Sequence, residues 1–168
     1  MAPADENECR QMLSTGFAHD GPTAVRYPRG QGPGVPVSQS LGTVPLGKAK
    51  VVQEGQDVAI LAFGAVRQEA RQAAEARGAT CVNMRYIKPL DEDLIRQLAA
   101  NHRLLVTVED NAVMGGAGSG VNEFLAESGL TVRIINLGLP DTFLPHGERE
   151  ALLADAGLDA NGIIHRVE

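Results

Sequence analysis

Two arginines bracket a Tyr-Pro pair in Arg26-Tyr27-Pro28-Arg29-Gly30. A guanidinium is a planar fork whose parallel N–H groups match a phosphate or a carboxylate. Pro28 fixes the backbone and Gly30 lets the chain turn away, so Arg29 sits on a stiff corner. The motif suits capture of a phosphorylated small molecule, and it suits a surface salt bridge equally well. A second constellation starts at Glu109-Asp110 and runs into Met114-Gly115-Gly116-Ala117-Gly118-Ser119-Gly120. Paired carboxylates at the end of a strand can move protons or hold a metal. They can also accept the amides of the glycine turn beside them. Gly115, Gly116, Gly118 and Gly120 let another backbone, a ligand or a partner subunit come close.

Several chemistries are excluded. A dinucleotide fingerprint needs a third glycine where Val121 or Glu123 stands, and no Lys-Ser/Thr pair completes a phosphate-binding Walker loop. Ser119 lacks the flanking glycines of a nucleophile elbow. His19, His102, His146 and His165 have neither metal spacing nor a paired nucleophile, and His146, in Leu144-Pro145-His146-Gly147, reads as structural or interfacial. Cys9 and Cys81 lie in apolar patterns and read as buried thiols without a disulfide or a metal. The net charge of −6, with no Lys/Arg run, argues against nucleic acid. No apolar run reaches membrane-spanning length, and no basic region followed by an apolar run opens the chain. The expectation is a cytoplasmic protein.

The elements that must position these residues follow from periodicity. Residues 4–18 read as a helix capped by Asp5, with Glu6 and Glu8 favouring its N-terminal dipole and Cys9, Met12 and Leu13 on one face. Thr23 to Tyr27 reads as a short strand. Residues 31–46, crowded with glycine and proline, read as an extended linker. Strands are then predicted at 49–52, 58–63, 80–84, 104–108 and 132–137, the last broken by Gly138. Helices are predicted between Val66 and Gly78, after Asp91, through Val121, Phe124 and Leu125, over 147–156, and over 159–166. Apolar strands alternating with helices predict a mostly parallel sheet covered on both faces. With an aromatic share of only 4%, alanine, valine and leucine must fill the core.

Five stretches together resemble a known family. They are Asp5 to Leu13, Ala24 to Gly30, Lys88-Pro89-Leu90-Asp91, Glu109 to Glu123, and Leu137-Gly138-Leu139-Pro140-Asp141. In order and over most of the length, they are similar to the C-terminal part of the 1-deoxy-D-xylulose-5-phosphate synthases, which are transketolase-like thiamine diphosphate enzymes. The resemblance implies an α/β/α three-layer domain whose mostly parallel five-stranded sheet has one antiparallel edge strand. It implies that residues 1–30 are the last helix and strand of a central pyrimidine-binding domain, 31–46 a linker, and 47–168 the transketolase C-terminal domain.

It further implies condensation of pyruvate with glyceraldehyde 3-phosphate, releasing CO2, in a cytoplasmic homodimer that uses thiamine diphosphate and Mg²⁺. The product is a precursor for isoprenoid, thiamine and pyridoxal synthesis. The family's cofactor motifs are absent here, so the chain alone is expected to bind no cofactor and to be inactive. It would need the enzyme's remaining N-terminal and central domains as partners. Arg29, and Arg26 as second choice, correspond to the family's acceptor-phosphate clamp. Two alternatives stand beside this: a non-catalytic dimerisation or regulatory module, and the C-terminal domain of a 2-oxoacid dehydrogenase β subunit.

Overall fold

In a computed structural model, which describes residues 1–167, the chain forms one five-stranded sheet with helices on both faces. The strands are β1 (Lys50–Gln53), β2 (Val58–Phe63), β3 (Thr80–Asn83), β4 (Leu104–Ala112) and β5 (Arg133–Leu139), in spatial order β1-β3-β2-β4-β5. All neighbouring strands are parallel except β1, which runs antiparallel to β3 at the edge. The expected α/β architecture with one antiparallel edge strand is therefore the observed one.

The helices are α1 (Glu6–Ala18), α2 (Arg67–Arg77), α3 (Glu92–Asn101), α4 (Ala117–Glu127), α5 (Arg149–Asp155) and α6 (Ala160–Arg166). Successive strand residues point to opposite faces, so each buried strand feeds two cores. Ile60, Ala62, Val106 and Val108 meet Ala70, Ala73 and Ala74 of α2, with Leu153, Leu158 and Ile163 behind them. Ala59, Leu61, Phe63 and Leu105 meet Ile95, Leu98, Val121 and Phe124 on the other side. Each large aliphatic side chain so buried contributes about 1.5–3 kcal/mol. The alanines of α2 give no bulk, and that lets the helix lie close to both the sheet and α6.

Four expectations need correction. Thr23 to Tyr27 is extended but joins no sheet: its backbone bonds go to Met1, through Arg26 N–H to the Met1 carbonyl (2.9 Å) and the Met1 ammonium to the Ala24 carbonyl (2.8 Å). A strand sequence makes a strand only where a neighbouring ladder stands beside it, and among the described residues none does. Gly138 does not end β5; an added Cβ there would lie 2.7 Å from the Asn111 carbonyl, so glycine is what lets β5 continue beside β4. β4 itself runs on past Val108 through a register shift to Ala112. The buried face of α1 is Glu8, Met12 and Thr15, whereas Leu13 is 53% exposed.

Glu8 is the unexpected member of that face. Its carboxylate accepts from Ala4 N–H (2.8 Å), Asn83 Nδ2 (2.9 and 3.0 Å) and Arg85 Nε (2.7 Å), which seats α1 on the carboxyl end of β3. Beneath it, Met12, Val44 and Tyr86 form a third small core. Residues 19–49 contain no helix or strand. Part of that stretch is nonetheless pinned along α1. Glu6 Oε1 accepts from Gly34 N–H (2.7 Å), Asn7 Oδ1 from Ser38 N–H (2.8 Å), and Thr15 Oγ1 from Val44 N–H (2.9 Å).

Cys81, on β3, is fully buried, and burial pushes its thiol up to about 11 against the opposing pull of Arg67 and Arg71. The folded chain thus holds this proton more tightly than the unfolded one, whose cysteine ionises near ~8.5. The stabilisation is complete below that pH and is lost as pH rises towards about 11. At pH 8 an aromatic disulfide reagent is expected to modify only half-buried Cys9 in the folded chain, and both thiols in urea. Two equally fast thiols in the folded chain would contradict the burial of β3.

Candidate functional site

The sheet has one place where α/β proteins commonly bind ligands, the crevice at the carboxyl ends of adjacent strands whose connections leave in opposite directions. Here it lies between β2 and β4, since β2 connects to β3 on one side and β4 to β5 on the other. The chain fills this crevice itself. Gly64, at φ +80, ends β2, and an added Cβ would meet Ala2 at 3.4 Å and Asp110 Oδ1 at 3.8 Å. Ala2 is buried over it, with the Pro3 carbonyl 4.0 Å from the same added Cβ, and Ala2 N–H donates to the Arg85 carbonyl (2.8 Å).

Glu109 and Asp110, consecutive on β4, face opposite sides of the sheet and do different work. Glu109 is 3% exposed; its two oxygens accept from Ala117 N–H (2.8 Å) and Gly118 N–H (2.9 Å). It therefore satisfies the free amides of the α4 N-terminus and sets a negative charge against the helix dipole. The glycine stretch is built around that contact. Half of it is loop and half is the first turn of α4, so it is not a single turn preceding a helix. Gly115 has φ +68. A Cβ on Gly116 would fall 2.5 Å from Glu109 Oε1, and one on Gly118 would fall 2.5 Å from both Thr107 Oγ1 and Asn136 Nδ2. Thr107 and Asn136 are themselves bonded at 2.7 Å. A Cβ on Gly120 would meet Leu90 at 3.6 Å, an ordinary contact distance. Ser119 Oγ donates to the Val113 carbonyl (3.2 Å).

Asp110 turns to the other face, where its carboxylate pairs with Arg26 Nη1 while its backbone carbonyl accepts from Arg26 Nη2 (2.8 Å). Arg149, on α5, lies 4.0 Å from Asp110 Oδ2 and 3.6 Å from Glu69 Oε1. Arg29, by contrast, is exposed, and no described residue gives it a hydrogen bond or an ion pair. Of the two arginines in the motif, one is tied to the sheet and the other is free. Tyr27, Pro28 and Gly30 line a cleft of about 920 Å³ between α1, the start of α2 and α5. His146 is exposed in the loop before α5, apart from this cluster. Among the described residues no three His, Cys, Asp or Glu side chains gather as a metal site.

Residues 47–163 match the family model described as "Transketolase, C-terminal domain". The chain belongs to the transketolase C-terminal domain family. The transketolase-like fold is also that of a solved "Split gene transketolase, inactive beta4 tetramer", which superposes with a TM-score of 0.86 at 32% identity over 99% of this chain and 55% of the other. Two curated relatives carry the description 1-deoxy-D-xylulose-5-phosphate synthase. The protein from Thioalkalivibrio sulfidiphilus is 61% identical over 99% of this chain, and that from Nitrosococcus oceani is 60% identical over 100%. In both cases the match covers 26% of the relative, so the chain spans about a quarter of the length of these proteins.

Sequence reasoning missed Glu8, Asn83, Arg85 and Arg149. Glu8 was visible only as an acid in a first helical turn, and its partners are far away in the sequence. We expect Glu109→Ala to destabilise the domain by about 2–4 kcal/mol, because two buried amides lose a charged acceptor. Glu109→Gln, which keeps one acceptor, should cost about half of that. Gly118→Ala should cost about 1–3 kcal/mol through overpacking against Thr107 and Asn136. Urea unfolding read by circular dichroism measures all three, and wild-type midpoints would refute the role of Glu109 as a cap.

Proposed function

We propose that the chain is the C-terminal quarter of a 1-deoxy-D-xylulose-5-phosphate synthase, and that Arg29 grips the phosphate of the acceptor substrate, glyceraldehyde 3-phosphate. The observation that carries the phosphate assignment is the contrast between the two arginines: Arg26 is committed to Asp110, while Arg29 is exposed and unpaired among the described residues. A phosphate dianion needs a rigid, uncommitted, bidentate cation; Pro28 supplies the rigidity, and Gly30 lets the chain turn away after Arg29. The identity with the curated synthases across the whole chain supports the reaction. In this reading residues 1–30 complete a central domain, 31–46 connect it, and 47–168 form the C-terminal domain.

The activity is condensation of pyruvate with glyceraldehyde 3-phosphate to 1-deoxy-D-xylulose 5-phosphate and CO2, in a cytoplasmic homodimer. No helix among the described residues is long and apolar enough to cross a membrane, in keeping with that setting. Binding energy from the remote phosphate orients the aldehyde for attack. The family's thiamine diphosphate and its Mg²⁺ do not fit the residues present. Glu109 already serves two amides, Asp110 serves Arg26, and Ala2 and Pro3 lie against the end of β2 beside Asp110. The cofactor therefore belongs to parts of the enzyme upstream of this chain, and this chain supplies the phosphate clamp and contacts to the remaining N-terminal and central domains.

In the complete enzyme, Arg29→Ala should raise KM for glyceraldehyde 3-phosphate at least about tenfold, the loss of a charge-assisted contact worth about 1.5–3 kcal/mol, and leave KM for pyruvate nearly unchanged. An unchanged KM for the phosphorylated substrate would remove the assignment. Calorimetric titration of the isolated chain with thiamine diphosphate and Mg²⁺ should give no heat of binding. Micromolar affinity would show that the chain holds the cofactor after all.

A further inference from the structure

The free arginine is only as rigid as the corner that carries it, and the structure shows what holds that corner. Residues 23–33 lie in no helix or strand. Their fixed point is Arg26. Its backbone N–H bonds to the Met1 carbonyl (2.9 Å), and its guanidinium makes a two-point contact with Asp110, one N–H to the carboxylate and one to the backbone carbonyl (2.8 Å). Two contacts from one planar group set its orientation as well as its position. Asp110 is itself a firm base. It is 8% exposed and sits near the end of β4, and Glu109 beside it is locked onto α4. Arg149 lies near its second carboxylate oxygen, at 4.0 Å. Arg26 and Arg29 are separated only by Tyr27 and Pro28, and the proline ring removes one backbone rotation.

We propose that Asp110 is a positioning residue for the acceptor-phosphate site. Through Arg26 it transmits the geometry of the C-terminal sheet to Arg29, and it touches neither substrate nor cofactor. This rests on the reading of Arg29 as the phosphate clamp. An Asp110 carboxylate that only stabilised the fold would lower the melting point and leave the balance between the two substrates unchanged. A positioning carboxylate moves that balance.

The test uses the complete enzyme and steady-state kinetics with each substrate varied in turn. Asp110→Asn should raise KM for glyceraldehyde 3-phosphate about ten- to a hundredfold, as expected when a binding group is displaced by about an ångström, with KM for pyruvate within about twofold of wild type. Arg26→Met, at a side chain that is 51% exposed and so tolerant of change, should give the same selective rise. The double variant should be no worse than either single one, because both remove one link. If Asp110→Asn does not fold, Arg26→Met decides alone. A selective effect of Arg29→Ala with no effect of Asp110→Asn or Arg26→Met would overturn the positioning role and leave the clamp standing. Parallel rises in both KM values would equally overturn it. A silent Arg29→Ala would remove the clamp and the positioning role together.

Discussion

The arrangement depends on two neighbouring carboxylates on one strand facing opposite ways. The pleat sends Leu105, Thr107 and Glu109 to one face of β4, and Val106, Val108 and Asp110 to the other. Glu109 closes the N-terminus of α4 on the first face, and Asp110 holds Arg26 on the second. Residues 104–108 are apolar apart from Thr107 and bury themselves without polar partners to find. Both acids are buried as well, and a buried carboxylate is tolerable only when its oxygens are occupied. The glycines of 115–120 follow from the first requirement, since a side chain on Gly116 would displace the Glu109 oxygens. The anchoring of the Arg26 corner follows from the second.

Much of this was legible in the sequence because the signals are local. Continuous apolar runs at 58–63 and 104–108 announce central parallel strands, and Asp5 and Asp91 announce caps, with the Asp5 and Asp91 side chains accepting from Glu8 and Leu94 N–H as expected. The Arg-Tyr-Pro-Arg-Gly motif and the long glycine stretch mark the family. What was not legible depends on distant partners. The Arg26–Asp110 pair spans 84 positions and the Glu8–Arg85 pair 77, and no periodicity connects them. Gly138 misled for the converse reason. A glycine in a strand pattern signals either a break or a close backbone approach, and only the position of Asn111 decides which.

The two arginines of the motif stand in very different surroundings. They are the same residue type, three positions apart on one extended segment, yet one is held by a buried acid and the other is exposed without a partner among the described residues. At the sheet's usual ligand crevice, Ala2 and Pro3 lie against Gly64 at the end of β2.

The polar side chains of α1 have a consequence for mechanics. Gly34, Ser38 and Val44 each donate a backbone hydrogen bond to a side chain of the helix, so the second half of the stretch between α1 and β1 is divided into short intervals. A free coil of that length would allow the helix many orientations against the sheet, and fixing one would carry an entropic cost that grows with coil length. Pinned in this way, the segment acts as a splint. It lies along the helix at three points, and these contacts oppose swinging of α1 against the sheet in spite of the proline- and glycine-rich chain that joins them.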